Sequence, residues 1–229
     1  MEYGKINELI STTLLMKEEW IAQSGLRNDE IKILRELNTP IKIQNFIEKL
    51  NVNFEENGDT CMSPRMVLAL RKAHCIEAAL FAGIALRMQG RLPLIVDLES
   101  TKEDFDHVIA VFRENGKWGA ISKSNHAVLK YREPVYRDVR ELVMSFFHEY
   151  FLDNGKKTLR KYTGAINLAR FDRTNWISSE SDVWHIAEYL ADAKHFDILN
   201  KSEIKKLRLA DEIEIQAGKL KIERDKFKN

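Results

Sequence analysis

The segment from Cys75 to Gln89, CIEAALFAGIALRMQ, has polar side chains only at Glu77, Arg87 and Gln89. A helix that is apolar on every face has no side to turn to water, so it must lie inside a core. Gly90 follows as its stop signal. Such a helix needs a layer to bury it, and the next stretch supplies one. LPLIVDLES reads as a buried strand. FDHVIAVFRE and KWGAISKS are two β-like runs joined by Asn115-Gly116, the dipeptide that favours a two-residue hairpin turn. HAVLKY reads as a further strand. The pattern predicts an α+β fold, a buried helix against an antiparallel sheet.

Helical spacing flanks this core on both sides. Apolar residues recur at Ile6, Leu9, Ile10, then Ile31, Leu34, Leu37, then Ile43, Phe46, Ile47, Leu50. Thr39-Pro40 and Ser63-Pro64 are N-cap and first-turn signals. Between them NVNFEENGDTCM is a polar loop with a turn at Asn57-Gly58. From Val135 the run VYRDVRELVMSFFHEYF is helical, residues 163–178 are irregular, and SESDVWHIAEYLADAKHF is a helix capped by Ser179 or Ser181. A long charged helix is expected from Ser202. The predicted division is 1–62 as an N-terminal helical region, 63–151 as the core and 152–229 as a C-terminal helical extension, all in one structural unit.

Charge excludes some partners. The 36 basic and 35 acidic residues leave a formal net charge of +1, so no global field favours nucleic acid or an anionic membrane. No apolar run approaches the ~20 residues of a membrane span. Two cysteines, Cys61 and Cys75, make no disulfide framework, and with no signal pattern a cytoplasmic location is expected. No metal-ligand spacing or phosphate loop is present, so neither metal nor cofactor is expected.

Cys75 stands at the first turn of the buried helix. Unpaired N–H groups and the positive end of the helix dipole favour a thiolate there. They can also receive the oxyanion of a tetrahedral intermediate. A two-residue turn at Asn115-Gly116 pairs Glu114 with Lys117, Phe112 with Gly119, Ile109 with Ser122 and His107 with Ser124. His107 and Ser122 then share a face, the arrangement that a base and its orienting residue need. A turn of odd length would swap the parity, which keeps Asn125 as an alternative third residue. Asp97 and Asp106 are further carboxylates within reach of rearrangement.

The stretches KAHCIEAALFAGIALRMQGRLPLIVDLE and FDHVIAVFRENGKWGAIS resemble the transglutaminase-like superfamily, which is related to papain-type cysteine proteases. The blocks AHC, DHV and WGAISKSN are similar to a bacterial subgroup of unknown substrate. The resemblance covers roughly residues 63–125. It implies Cys75 as nucleophile, His107 as base and an acyl-enzyme mechanism on an amide or ester of a peptide or small molecule. Trp118 matches the hairpin tryptophan of that family and, with Asn125 and His126, is expected at the substrate cleft. Ser122 falls where the family usually has aspartate. A serine can accept the Nδ1–H of the imidazole but gives no charge stabilisation. The glutamine that papain-type enzymes carry ahead of the nucleophile is missing from LALRKAH, so the second oxyanion donor is unassigned. The alternatives are a catalytically inactive module that binds a peptide or protein partner in the same cleft, and a scaffold acting through its terminal helices.

The remaining candidates have plainer readings. His74 adjoins Cys75, but neighbours on a helix do not face each other. His148, His185 and His195 fall on amphipathic helices. Cys61 lies in a loop and is expected to titrate as an ordinary thiol. Glu77 is expected to pair with Arg71 or Arg91, or to line the cleft.

Overall fold

The structure, a computed structural model, describes residues 19–55 and 58–220. The expected helical positions Ile6, Leu9 and Ile10, and Asn57 of the expected turn, lie outside the described residues.

Two capped helices lead into the core, α1 (Asn28–Glu36) and α2 (Pro40–Glu48). Thr39 Oγ1 accepts from Lys42 N at 3.2 Å with proline in the first turn of α2. Ser63 opens α3 (Pro64–Leu70) in the same way, at 3.2 Å from Met66 N. A short parallel pair, β1 (Asn51–Val52) with β2 (Lys72–Ala73), sets the chain down just before Cys75. Then comes α4 (Cys75–Met88), buried along nearly its whole length, and Gly90 ends it at φ +81°.

Strands β3 (Leu94–Glu99), β4 (His107–Glu114) and β5 (Lys117–Ile121) follow. Asn115 at φ +49° and Gly116 at φ +78° make the tight turn between β4 and β5. The register is the expected one from Glu114↔Lys117 through Phe112↔Gly119 to Ala110↔Ile121. Next are β6 (Arg132–Tyr136), α5 (Val139–Phe147), β7 (Lys161–Thr163), β8 (Ile166–Asn167), a 3-10 helix over Leu168–Thr174, α6 (Trp184–Asp192), β9 (His195–Asp197), α7 (Lys201–Ile204) and α8 (Glu212–Gly218). Among the described residues one sheet runs in the order β6-β5-β4-β3-β7-β9, with β8 also on β3 and every pairing antiparallel.

Both faces of this sheet are covered. Ile95, Val108, Ala110, Phe112 and Ile121 pack on α4 and the helices around it. Val96, Leu98, Ile109, Val111 and Ala120 pack on Leu142, Val143 and Phe146 of α5. That explains why β4 reads as an unbroken apolar run rather than an alternation. Among the described residues no helix is long and apolar enough to cross a membrane.

The C-terminal half departs from expectation. Residues 132–136 form an edge strand, and the helix expected from Val135 starts only at Val139, capped by Asp138 at 2.8 Å from Glu141 N. HAVLKY is mostly loop. The region 163–178 supplies strand and 3-10 helix instead of irregular chain. Neither Ser179 nor Ser181 caps α6, whose N-cap is Val183, and its expected tail at His195 and Phe196 turns into β9. The long charged helix is broken into α7 and α8 by new caps at Asn200 and Asp211, whose side chains bond the backbone locally. Residues 152–229, expected as a helical extension, thus contribute three strands to the sheet.

Candidate active site

Cys75 is the first residue of α4, half-buried, and His107 is the first residue of β4, buried. The site therefore sits where the N terminus of the central helix meets the starting end of a central strand. His107 Nε2 lies 2.8 Å from Ser122 Oγ. Ser122 Oγ also lies 2.6 Å from the Leu129 carbonyl. A carbonyl only accepts, so the single hydroxyl proton goes to Leu129, and Ser122 accepts from His107 Nε2–H. This network assigns the tautomer and leaves Nδ1, rather than Nε2, for the thiol. The serine thus meets the ring at the nitrogen opposite to the expected one.

The hydroxyl is held from several sides. Ser122 is the residue after β5, and Gln44 of α2 clamps its backbone: Ser122 N donates to Gln44 Oε1 at 3.0 Å, and Gln44 Nε2 donates to Ser122 O at 2.8 Å. Leu129 adopts φ +59°, a left-handed conformation that costs a branched residue roughly 1–2 kcal/mol. Its N–H reaches Glu149 Oε2 at 3.4 Å, and Arg132 pairs with the same carboxylate. Strain of this kind persists where surrounding contacts over-determine it.

His74 differs from expectation. It is the N-cap of α4 with an extended backbone, φ −98° and ψ −168°, so the rule for helical neighbours does not apply. Its Nδ1 lies 4.0 Å from Cys75 Sγ, and its Nε2 lies 2.9 Å from the Thr60 carbonyl. Glu77 ties this corner together. Its fully buried carboxylate accepts from His74 N at 2.9 Å, Met62 N at 3.0 Å, Thr60 Oγ1 at 2.7 Å and Asn53 Nδ2 at 3.2 Å. The expected partners are elsewhere: Arg91 pairs with Glu114, and Arg71 lies over Phe46.

Electrostatics separate the two thiols. Burial by itself would raise the Cys75 thiol, but hydrogen bonds and charge from His107 and His74 bring it down to about 5. Burial works against the charged form of His74, yet its contact with Cys75, the Cys75 and Glu77 charges and the Thr60 carbonyl raise it to about 9. Cys61 is fully buried, not an ordinary loop thiol. Burial pushes it up to about 12, and the charges of Glu77, Asp182 and Cys75 add to that.

A cleft of about 610 Å³ opens over Cys75 and His107. Its walls include Asn125 and His126, so both expected cleft residues line it, together with Phe54, Glu55, Asp104, Phe105, Asp106, Lys123, Tyr150 and Phe151. Trp118 is not among them. It sits on β5 opposite Arg113, with Arg113 over its ring, and packs with the core on the α5 side of the sheet. The expectation that it lines the cleft is corrected by position along the strand: Trp118 lies four residues before Ser122, beside the hairpin turn, whereas the cleft opens at the other end of the β4–β5 pair. Lys123 Nζ donates to the Ile47 and Leu50 carbonyls at 2.8 Å each, closing the end of α2, and burial lowers it to about 8.

Neither spare carboxylate holds the His107 ring. Asp106 accepts from Ser100 N at 2.7 Å. Asp97 binds His195 Nε2 at 3.0 Å, which places His195 on a strand in a buried pair rather than on a helix. Burial raises Asp97 to about 6, against the opposing bond from His195. His185 meets Thr174 Oγ1 at 2.8 Å, and His148 is exposed beside Phe147. Among the described residues no group of His, Cys, Asp and Glu side chains is arranged to hold a metal.

Gln44, His74, Leu129 and Lys123 are site residues that the sequence reading missed. His74 and Glu77 carried a signal, since residue and N3 glutamate match a capping-box spacing. Gln44 carried a fainter one, a polar residue beside the apolar stripe Ile43–Ile47. No protein-family model matches the chain. A search of curated proteins finds no match either.

Proposed function

We propose that this chain is a thiol-dependent hydrolase or acyl-transferase of the transglutaminase-like type, acting on an amide or ester through Cys75 and His107. The observation that carries the reading is the His107–Ser122 contact of 2.8 Å beside a half-buried cysteine at a helix N terminus. A base oriented by a third residue and a nucleophile with a lowered pKa are the parts such chemistry needs. The buried helix packed on an antiparallel hairpin is consistent with the same assignment.

In this reading the Cys75 thiolate attacks the carbonyl carbon, and first-turn N–H groups of α4 receive the oxyanion. The imidazolium of His107 gives its proton to the departing amine or alcohol, leaving a thioester. Neutral His107 then takes a proton from water, or from an amine in acyl transfer, as that nucleophile attacks the thioester. Collapse of the second intermediate expels the Cys75 thiolate. Ser122 keeps the ring in place throughout but adds no charge.

An ester that releases a chromophore, p-nitrophenyl acetate, tests this. A burst of nitrophenolate with acetyl mass on the Cys75 peptide, lost in Cys75→Ser and slowed in His107→Ala, is the expected result. Nitrophenolate release that is unchanged in both variants would sink the reading. The neutral third residue is the specific observation behind a second reading, a non-catalytic cleft that binds a peptide. An unlabelled Cys75 in a folded chain would favour it.

A further inference from the structure

We infer that His74 is a second imidazole partner of Cys75, a fixed positive charge that keeps the sulfur ionised whatever the protonation state of His107. This rests on the proposed Cys75–His107 chemistry and goes beyond it.

Geometry carries the argument. His74 Nδ1 is 4.0 Å from Cys75 Sγ. On the other side of the ring, Nε2 meets the Thr60 carbonyl at 2.9 Å, and a carbonyl accepts only, so this nitrogen bears a proton. Two carboxylate oxygens stand 3.4 Å from the same Nε2, Glu55 Oε1 and Glu77 Oε1. The ring is thus enclosed by acceptors at one nitrogen and by a thiol at the other, an environment that favours imidazolium. His107 has a different environment. Its far nitrogen meets a neutral hydroxyl whose own proton is committed to Leu129. Charge compensation, absent behind His107, is therefore present behind His74.

The two rings divide the work. His107 gains and loses a proton during the cycle, as its neutral partner permits. His74 keeps its proton and favours Cys75 as thiolate both when it attacks and when it departs from the thioester. The ring reaches Cys75 because the N-cap backbone is extended, which turns residue 74 out of the helical array. The titratable groups that bear on this pair are Glu77 from α4, Glu55 from the loop after β1, Cys61 from the loop before α3, His107 from β4, and Asp97 and Tyr150, which act on Cys75 from the rest of the sheet and from the turn after α5. A purely structural role, capping the Thr60 carbonyl, would leave the ionisation of Cys75 unaffected.

The test is the pH profile of iodoacetamide alkylation at Cys75, read by peptide mass in the whole chain. Wild type, His74→Gln, His107→Ala and the double variant are compared. His74→Gln is expected to move the midpoint upward by one unit or more, a loss of about ten-fold or greater in rate near the native midpoint. Its alkaline plateau should match wild type, because there the thiol ionises unaided. His74→Lys, which keeps a cation, should recover part of the shift. A His74→Gln profile that overlays wild type, while His107→Ala is shifted, overturns the inference and leaves the Cys75–His107 reading standing. If neither single variant moves the profile, both fall. Should His74→Gln fail to fold by circular dichroism, Glu55→Gln decides, since it keeps an acceptor for Thr60 N but removes the charge. An upward shift supports the assignment, and an unmoved midpoint overturns it.

Discussion

At the residue scale, only one of the two thiols can ionise near neutral pH. Cys75 is held near 5, and Cys61 is pushed to about 12. Iodoacetamide at mildly acidic pH is therefore expected to modify Cys75 and to spare Cys61 until the chain is denatured, with mass mapping of the two peptides as the readout. Equal rates in the native state would contradict the assigned environments. Ser122→Ala removes the acceptor for His107 Nε2 and the donor for the Leu129 carbonyl in one step. Burying such groups unpaired costs about 1–3 kcal/mol each, so the denaturation midpoint should fall and the selectivity of Cys75 labelling should weaken. The spacing of the hairpin made His107 and Ser122 legible as neighbours, because β-strand parity is fixed once the turn length is known. His74 is not legible, because sequence spacing does not separate a helix's first residue from its N-cap. The N-cap lies outside the helix, and one residue of boundary error reverses which way a side chain points.

At the element scale, α2 acts on the site without lining it. Gln44 supplies both a donor and an acceptor to the backbone of Ser122, just beyond the last paired residue of β5. Gln44→Ala is expected to destabilise the fold by about 1–3 kcal/mol, since two buried backbone groups lose partners. It should also reduce Cys75 selectivity by letting Ser122 move, a second readout that Ala substitution at exposed Ile41 on the same helix should leave unchanged. The central elements were readable because their signals are strong. A helix apolar all round and an Asn-Gly hairpin leave few alternatives. The edge strand Arg132–Tyr136 was not readable, because half-exposed residues on one ladder leave only a faint alternation and the following Val139–Phe147 helix carries the stronger period. His195 was assigned to a helix for a similar reason. The α6 pattern runs on past Asp192, and only pairing with β7 converts the next residues into a strand.

At the scale of the whole molecule, the thiol and its imidazoles couple activity to stability. Cys75 is held below its ordinary value of 9, so its contribution grows as pH rises from about 5. His74 is held above its ordinary 6.5, so its contribution is full below that value and is lost toward about 9. The two slopes oppose each other between 6.5 and 9. The stability of wild type relative to Cys75→Ser should therefore rise between pH 5 and 6.5 and stay level above that, since both contributions have stopped changing by about 9. Denaturant midpoints across pH check this, and a flat difference would contradict it. The sheet also binds the halves of the chain together. A fragment ending at residue 151 would lose β7, β8 and β9 and leave β3 with an open edge, so it is expected to aggregate rather than fold when expressed alone. That third of the chain was misread because its strands are two or three residues long, too short to show a period. The same strand order has a consequence for biosynthesis. Strand β3 is translated long before β7 and β8, which pair with its outer edge. Until Asn167 has left the ribosome, the nascent chain must carry an unsealed β-edge beside its most apolar helix. Contacts between such distant segments close slowly, so newly made chains should spend that interval dependent on chaperones, and the thiol should become reactive only at the end of it.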